Sequence, residues 1–227
     1  FGIAGMRVGA YAEYKVMPEG AGLALKPANL TYAEAAAIPN GALTALTFLR
    51  NMGHVQQGQA VLIIGASGSV GSAAVQIAKH FGAEVTGVCS TVNVELVKAL
   101  GADHVIDYTQ QDFTQNSQTY DVIFDTVGKS SFSACKNSLT ATGRYLAGAG
   151  GLREFGYMLR TSLFGGKKAL AGVSSEKQDD LAFVKDLVEA GAIRPVIDRT
   201  YPLDQIVEAH RYVDTGRKKG NVVITVA

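Results

Sequence analysis

The chain has 227 residues, of which 47% are hydrophobic and 18% charged, a composition typical of a globular protein with a sizeable core. Lys and Arg number 21 against 20 Asp and Glu, so the chain lacks the net positive charge that nucleic acids and anionic membranes attract. Cys89 and Cys135 match no metal or redox spacing, and no apolar run reaches membrane-spanning length. We therefore expect a reducing, cytoplasmic location.

The first part of the chain predicts strands and two helices. Alternation of small or apolar with polar residues at 10–17 predicts a strand that ends at Pro18, and residues 20–27 predict a turn and a short strand. Thr31 followed by Glu34 has the spacing of a capping box and predicts the start of a helix. A second helix is expected at about 40–52.

From residue 59 onward, strands and helices are expected to alternate. The apolar run at 60–64 is typical of a strand that is covered on both faces. The expected elements are helix 69–81, strand 84–89, helix 92–100, strand 103–107, strand 120–125, helix 130–138, strand 144–149 and strand 167–173. Six strands with helical crossovers predict an α/β fold with a doubly wound parallel sheet.

After Ser174 the alternation is expected to stop. The pattern predicts helix 177–190, strand 196–201, helix 203–213 and strand 221–226. We expect these last strands to join strand 10–17 in a separate β-rich domain.

A glycine-rich turn carries the clearest functional signal. The sequence Gly-Ala-Ser-Gly-Ser-Val-Gly occupies 65–71, between a predicted strand and a predicted helix. Gly68 lets the backbone approach a pyrophosphate, Gly71 lets the helix pack closely on the strand, and Ala66 stands in the first glycine slot of the fingerprint. The free N–H groups and the dipole of the helix then hold negative charge. An ordinary tight turn is the alternative, but the surrounding alternation favours a dinucleotide site.

The residues after the second strand bear on the choice of cofactor. An acid that selects the ribose 2′-hydroxyl of NAD is usual about 20 residues beyond the glycines. Residues 88–93 hold no acid, and Ser90, Thr91 and Asn93 could donate hydrogen bonds to a 2′-phosphate. This pattern favours NADP(H) over NAD(H), although no Lys or Arg stands there to neutralise the phosphate. These side chains could also serve as caps for the following helix.

Five segments resemble the medium-chain dehydrogenase/reductases. They are the glycine-rich turn at 65–71, Gly-Ala-Tyr-Ala-Glu-Tyr at 9–14, Leu-Gly-Ala-Asp-His-Val-Ile-Asp-Tyr at 100–108, Tyr-Asp-Val-Ile-Phe-Asp-Thr-Val-Gly at 120–128 and Gly-Arg-Lys-Lys-Gly-Asn-Val-Val-Ile at 216–224. The resemblance runs along the whole chain and is closest to the zinc-independent, quinone oxidoreductase-like branch.

That resemblance implies a GroES-like β-barrel domain packed on a Rossmann domain, with the nicotinamide between them. Residues 1–32 and 177–227 would belong to the barrel domain, and 33–176 to the Rossmann domain. Members of the family begin with most of the barrel before the strand equivalent to 10–17, so we expect this chain to be a piece of a longer protein. They commonly form homodimers through the strand equivalent to 167–173.

The resemblance also implies cofactor-binding residues. It places the pyrophosphate at Ala66, Ser67, Gly68, Ser69, Val70 and Gly71, the adenosine ribose at Ser90 and Thr91, the adenine by Tyr108, and the nicotinamide half beside Thr44, Thr126, Val127, Ala147 and Gly148. Asn221 stands where relatives often carry a basic residue that reaches the phosphates. Val92 stands where many close relatives carry Arg.

The chain departs from the zinc-dependent members of the superfamily. They place a metal-binding Cys four residues before the threonine equivalent to Thr44, and this chain has Asn40 there. An amide is a poor ligand for Zn²⁺, and the histidines are expected to be scattered over surface positions. They are His54, His80, His104 and His210. The sequence therefore predicts no metal site.

Without a metal to polarise a carbonyl, an activated substrate is favoured. The main hypothesis is NADPH-dependent reduction of a quinone or an α,β-unsaturated carbonyl, with hydride chemistry belonging to the cofactor. Tyr11, Tyr14 and Tyr157 are considered as proton donors, but no catalytic residue is assigned. Residues 150–166, in which glycine pairs bound an apolar stretch at 155–164, are expected to be a loop that covers the substrate, forms a dimer contact or lies on the surface. The alternatives are alcohol dehydrogenase-like or enoyl reductase activity, and a non-catalytic NADPH-binding role.

Overall fold

The computed structural model describes residues 1–5, 9–149, 151–163 and 165–226. Six parallel strands form one sheet in the order β3-β2-β1-β4-β5-β6. The strands are β1 (Ala60–Ile64), β2 (Glu84–Cys89), β3 (His104–Asp107), β4 (Tyr120–Asp125), β5 (Leu139–Ala147) and β6 (Lys168–Ala171). The strand order reverses direction between β1 and β4, where α/β sheets bind ligands at their carboxyl edge. The predicted doubly wound sheet is confirmed.

Helices cover both faces of this sheet. The α-helices of the described residues are α1 (Tyr32–Ala36), α2 (Pro39–Leu46), α3 (Ser69–His80), α4 (Val94–Ala99), α5 (Phe132–Cys135), α6 (Leu152–Ser162), α7 (Gln178–Glu189) and α8 (Ile206–Asp214). Of these, α1 and α8 contact the last strands of the chain rather than this sheet. Val61 and Ile63 pack in a core with α2, α3 and α7, whereas Leu62 and Ile64 pack in a second core with α5. Since alternate strand residues point to opposite faces, burial on both sides explains the unbroken apolar run of β1.

The last two strands form a small sheet of their own. β7 (Ile197–Pro202) and β8 (Asn221–Thr225) pair in parallel, with α8 between them. The prediction that the β–α alternation stops after Ser174 was therefore wrong, because α8 returns the chain so that β8 runs in the direction of β7. An isolated parallel bridge between Gly68 and Gly220 joins this sheet to the glycine-rich turn.

The predicted strand at 10–17 was wrong. These residues form bends and irregular structure, and Tyr14 is 90% exposed. No strand in the described part of the chain pairs with them, and an extended segment without a partner leaves its ladder hydrogen bonds unmade. The short strand expected within 20–27 is reduced to a single antiparallel bridge between Leu23 and Gly2.

The expected loop at 150–166 was also wrong, since most of it is helix α6. Glu154 accepts a hydrogen bond from the Gly151 amide at 3.0 Å, which fixes the first turn. Gly150 and Phe164 lie outside the described residues. Other boundaries moved by a few residues, and β5 begins five residues before the predicted 144. The helix expected at 40–52 is α2 followed by a π-helix at Thr47–Met52. The capping box of Thr31 and Glu34 is confirmed.

Candidate functional site

The turn after β1 is shaped by glycine at its first position. Gly65 has a φ of +80°, which favours glycine, and a Cβ there would lie 2.7 Å from a methyl of Val127. The amides of Gly65 and Ala66 both donate to the Val88 carbonyl, at 3.1 and 3.0 Å. These bonds fix the turn against the end of β2.

Gly68 and Gly71 are glycine for different reasons. A Cβ on Gly71 would lie 2.0 Å from the Gly65 oxygen, so the close approach of α3 to the turn excludes any side chain there. Among the described residues, a Cβ on Gly68 would meet only the Gly65 oxygen, at an ordinary 3.4 Å, and the φ of Gly68 is −79°. The fold itself therefore tolerates a side chain at 68, and the space in front of this residue is open to a ligand.

The start of α3 presents hydrogen-bond donors to that space. Gly68 is the N-cap and has no side chain to cap the helix. The first N–H groups of a helix have no intrahelical acceptor, and its dipole is positive at this end. This arrangement fits a diphosphate bound along the 65–71 turn.

Asn93 joins the glycine-rich turn to the residues after β2. Its amide nitrogen donates to the hydroxyl oxygens of Ser67, at 3.1 Å, and Ser90, at 3.2 Å. Its own oxygen is buried and, among the described residues, is the one such side-chain atom without a partner. Buried polar atoms are rarely left unpaired, which supports a site that water or a ligand completes. Neither Ser90 nor Asn93 makes a side-chain cap bond to the helix that follows.

Thr91 brings an acid to this edge of the sheet. Its hydroxyl donates to one oxygen of Asp107, at 2.5 Å, and the other oxygen accepts from the amide and hydroxyl of Thr109, at 2.9 and 2.8 Å. The bond from Thr91, followed by those from Thr109, holds the pKa of Asp107 below its usual range. Sequence reasoning missed this carboxylate because it looked for an acid after β2, whereas Asp107 ends the neighbouring β3. The register of β2 and β3 pairs Asp107 with Cys89 and so brings this carboxylate next to the residues that follow β2.

Tyr108 lies beside this acid. Its amide donates to the Cys89 carbonyl at 3.0 Å, which fixes its backbone at the same carboxyl edge. The side chain is exposed. Its ring is therefore free to stack on a planar group such as an adenine.

A buried carboxylate organises the turn after β4. Asp125 is fully buried and accepts hydrogen bonds from four donors. They are the amides of Val127 (3.0 Å), Gly128 (2.8 Å) and Ser130 (2.8 Å) and the hydroxyl of Tyr145 (3.1 Å). Burial, and then the nearby Asp125 charge, raises the pKa of the Tyr145 hydroxyl. The sequence interpretation overlooked Asp125, although an acid that ends an apolar strand was a visible signal.

The same edge brings together the residues expected at the nicotinamide half. Thr126 donates through its amide and hydroxyl to the Ile64 carbonyl, at 3.2 and 2.8 Å. The Gly148 amide donates to the Asp125 carbonyl at 2.8 Å, so the ends of β4 and β5 are held side by side. A polar cavity of about 50 Å³ lies below, lined in part by Tyr145 and Glu154. It is much smaller than a typical ligand pocket of about 300–1,000 Å³, so we do not take it for the substrate site.

Residues before β8 reach the glycine-rich turn. The Gly220 amide donates to the Ser67 carbonyl at 2.8 Å, and the Ser69 hydroxyl donates to the Asn221 side-chain oxygen at 2.6 Å. The nitrogen of Asn221 donates to the Val196 carbonyl at 3.1 Å, so both ends of this amide bind protein groups. Lys218 donates to the Gly220 carbonyl at 2.7 Å, and burial lowers its pKa.

Thr44 is placed differently from the other expected residues. Its hydroxyl donates to the Asn40 carbonyl within α2, at 2.8 Å. The start of α2 contacts the start of α3, since a Cβ on Gly41 would lie 2.6 Å from the Ser69 oxygen. Thr44 therefore lies about one helical turn from the phosphate loop, and its role toward the nicotinamide stays a prediction.

The tyrosines considered as proton donors do not form an acid–base group. Tyr157 packs against Phe132 with ring centres 5.6 Å apart, Tyr11 contacts the ring of His210 at 6.0 Å, and Tyr14 is exposed. In the described ranges no three His, Cys, Asp or Glu residues are close enough to hold a metal ion. Within the same ranges, no helix has the length and apolar character needed to cross a membrane.

Comparison with known proteins gives consistent matches. The family model described as zinc-binding dehydrogenase matches residues 100–224. The chain is 35% identical to the mitochondrial NAD(P)H oxidoreductase RTN4IP1 of Mus musculus, over 96% of this chain and 61% of that protein. It is 36% identical to the 2-methylene-furan-3-one reductase of Solanum lycopersicum, over 95% of this chain and 52% of that protein. The crystal structure of an NAD-dependent alcohol dehydrogenase has a TM-score of 0.85 at 33% identity, covering 97% of this chain and 66% of that one. The chain thus spans between about half and two thirds of these relatives.

Proposed function

The chain belongs to the zinc-binding dehydrogenase family of medium-chain dehydrogenase/reductases, and from that premise we propose that it is a nicotinamide-dependent oxidoreductase. Its substrate is a quinone or an α,β-unsaturated carbonyl, which it reduces by hydride transfer. The observation that carries this proposal is the uncapped start of α3 behind Gly68, where the fold leaves room for a diphosphate. The names of the mouse and tomato relatives, an NAD(P)H oxidoreductase and a furanone reductase, support the reaction class.

In this proposal, the residues along the carboxyl edge of the sheet bind successive parts of the cofactor. The reduced nicotinamide supplies the hydride, and the protein supplies position and electrostatics. Residues 65–71 hold the diphosphate through backbone amides. The adenosine side is formed by Ser90, Thr91, Asn93 and Tyr108, and the nicotinamide side by Thr44, Thr126, Val127, Ala147 and Gly148. The four bonds to Asp125 keep the second group rigid.

We propose that the reaction does not use zinc. The described residues offer no cluster of metal ligands, and Asn40 stands where zinc-dependent members carry Cys. Without a Lewis acid, the hydride acceptor must itself delocalise negative charge onto oxygen, as quinones and enones do. Stoichiometric zinc in the purified protein would overturn this part of the proposal.

We further propose that NADP(H) is preferred over NAD(H), by a small factor. Residues 88–93 contain no acid, and the Ser90 hydroxyl accepts from Asn93 and so keeps its own hydrogen for a phosphate. The same residues contain no cation. The structural likeness to an NAD-dependent alcohol dehydrogenase supports use of NAD(H) as well.

The proposal extends to organisation. Residues 33–176 are the dinucleotide-binding domain, and 1–32 with 177–227 belong to the catalytic domain. We propose a homodimer through β6, which pairs only with β5 within the described residues. This strand lies beside α6, whose Phe155 and Leu159 are exposed, as is Leu163 directly after the helix. Light scattering that gives the mass of one chain would overturn the dimer. The cytoplasmic location stays a prediction.

Oxidation of NADPH and NADH by a panel of acceptors tests the reaction. We expect absorbance at 340 nm to fall with small quinones and enones and to stay constant with simple ketones. Oxidation of simple alcohols by NAD⁺ or NADP⁺, without activity on quinones or enones, would replace the proposal by the alcohol dehydrogenase reading that the solved structure favours. Cofactor binding without turnover of any acceptor would favour a non-catalytic NADPH-binding protein.

A further inference from the structure

The pairing of Thr91 with Asp107 has a consequence for cofactor choice. The Thr91 hydroxyl places its hydrogen on the Asp107 carboxylate, at 2.5 Å, and lies 3.0 Å from the Thr109 hydroxyl. A hydroxyl has one hydrogen to donate and two lone pairs to accept with. Since its one hydrogen is already donated to Asp107, the Thr91 hydroxyl can only accept a hydrogen bond from a ligand. A ribose hydroxyl can donate to it, whereas a phosphate oxygen cannot.

The carboxylate itself is a full charge at this edge. Three polar side chains and one amide donate to it, which stabilises its ionised form. The cation on the neighbouring helix, Lys98, is paired with Glu95 at 2.9 Å and so adds no net positive charge to α4. A 2′-phosphate bound beside Thr91 therefore meets a negative field, which opposes the preference that the sequence of 88–93 indicates.

We propose that Asp107 is a specificity-determining residue that acts through Thr91, favouring the free ribose hydroxyls of NAD(H) and opposing the 2′-phosphate of NADP(H). It is a positioning residue, since it orients Thr91 and need not touch the cofactor. The inference rests on the proposed function, because it requires a dinucleotide whose adenosine ribose lies after β2. Asp107 would thus limit the preference for NADP(H), although it ends β3, whereas the acid that usually selects NAD(H) follows β2.

The test is the ratio of NADPH to NADH affinity in Asp107→Asn, followed through the fluorescence of the reduced nicotinamide. The protein has no Trp, so this signal is free of tryptophan background. We expect NADPH affinity to rise about fivefold, as screened repulsion between a carboxylate and a phosphate several ångströms apart implies. NADH affinity should stay level or fall. Asn keeps an oxygen that can accept from the Thr109 amide.

Glu84→Gln is the matched control. Glu84 is an exposed acid at the amino end of β2, 3.0 Å from His104, and its replacement removes the same unit of charge at the opposite edge of the sheet. We expect its affinity ratio to equal that of the wild type. An equal rise in both variants would overturn the inference, because the effect would then be one of net charge.

Salt dependence tests the wild type without any substitution. Added salt weakens diphosphate binding equally for both cofactors, so the ratio isolates the 2′-phosphate. We expect the ratio of NADPH to NADH affinity to rise with salt in the wild type and to change little in Asp107→Asn. A ratio that falls with salt in the wild type would overturn the inference, and so would a ratio in Asp107→Asn equal to that of the wild type at the same low salt concentration. Failure of both cofactors to bind the wild type would instead overturn the proposed function.

Discussion

The two halves of the carboxyl edge are held together by different means. The half proposed to hold the adenosine, called the adenosine half, depends on hydrogen bonds between the short polar side chains of Ser90, Thr91, Asn93 and Asp107, most of them partly exposed. The half proposed to hold the nicotinamide, called the nicotinamide half, depends on one fully buried carboxylate, Asp125, that accepts hydrogen bonds from backbone amides. Exposed polar contacts contribute little stability each, whereas a buried charge must stay fully paired. We therefore expect the first half to be adjustable at small cost and the second to be rigid.

The largest effect is expected from Asp125→Ala, which breaks the rigid half. It leaves three amides and the Tyr145 hydroxyl without their acceptor, so the free energy of unfolding should fall by about 3–5 kcal/mol. Urea denaturation measures this. Asp121→Ala is the control, because Asp121 lies at the other end of β4 and accepts from Ala60 and Thr140 at a half-buried position. Equal losses in the two variants would contradict the special weight given to Asp125.

Gly71→Ala acts where the two halves meet. The new methyl would lie 2.0 Å from the Gly65 oxygen, and relieving that clash requires α3 to move. Overpacking of this kind costs about 1–3 kcal/mol. Thermal unfolding should show a clearly lowered midpoint, together with weaker cofactor binding. A midpoint equal to that of the wild type would show that α3 does not pack as closely as described.

Asn93→Ala tests the adenosine half, which we expect to tolerate changes at small cost in stability. It removes the amide that joins Ser67 to Ser90, so we expect a loss of about 1 kcal/mol in stability and about tenfold weaker binding of both cofactors. The ratio of NADPH to NADH affinity should hardly change, in contrast to Asp107→Asn. Titrations of both cofactors with this variant measure it. A stability loss as large as that of Asp125→Ala would contradict the difference between the halves.

The smallest expected effect is a difference in the reactivity of the two thiols, which measures the local opening of each half separately. Burial raises the pKa of Cys89, under the adenosine half, and of Cys135, under the nicotinamide half, to about 11 each. Both thiols are therefore neutral at pH 8, and alkylation requires local opening. We expect Asp125→Asn to speed the modification of Cys135 and not of Cys89, because the Sγ of Cys135 lies 3.1 Å from Ser130 Oγ in the turn that Asp125 holds. Mass spectrometry of each cysteine peptide measures this, and equal acceleration would contradict it.

Local patterns predicted the strands of the sheet and the glycine-rich turn, because each of these is formed within a few consecutive residues. The run at 60–64 and the spacing of Gly68 and Gly71 are complete within a few residues. The strand at 10–17 had the right alternation but, within the described structure, no partner, and pairing is not written in a single segment. Helix α6 was missed because the glycines around it were taken as loop signals.

The polar contacts of the site could not be read from the sequence alone. Thr91 and Asp107 are sixteen residues apart and meet only through the register of β2 and β3, in which Cys89 lies opposite Asp107. Asp125 and Tyr145 meet in the same way across β4 and β5. The sequence motifs identified which loops line the carboxyl edge of the sheet, whereas the strand register determines which of their side chains are in contact.

The most direct test of the central claim compares the wild type with Gly68→Ala. The fold leaves room for a methyl at this position, and the backbone there is compatible with alanine, so the unfolding free energy should change by less than about 1 kcal/mol. The methyl would nevertheless stand where the diphosphate approaches the start of α3. Fluorescence titration should show saturable NADPH binding by the wild type and at least about tenfold weaker binding by Gly68→Ala. Equal affinity in the two proteins, or no binding by the wild type, would contradict a diphosphate site at this turn.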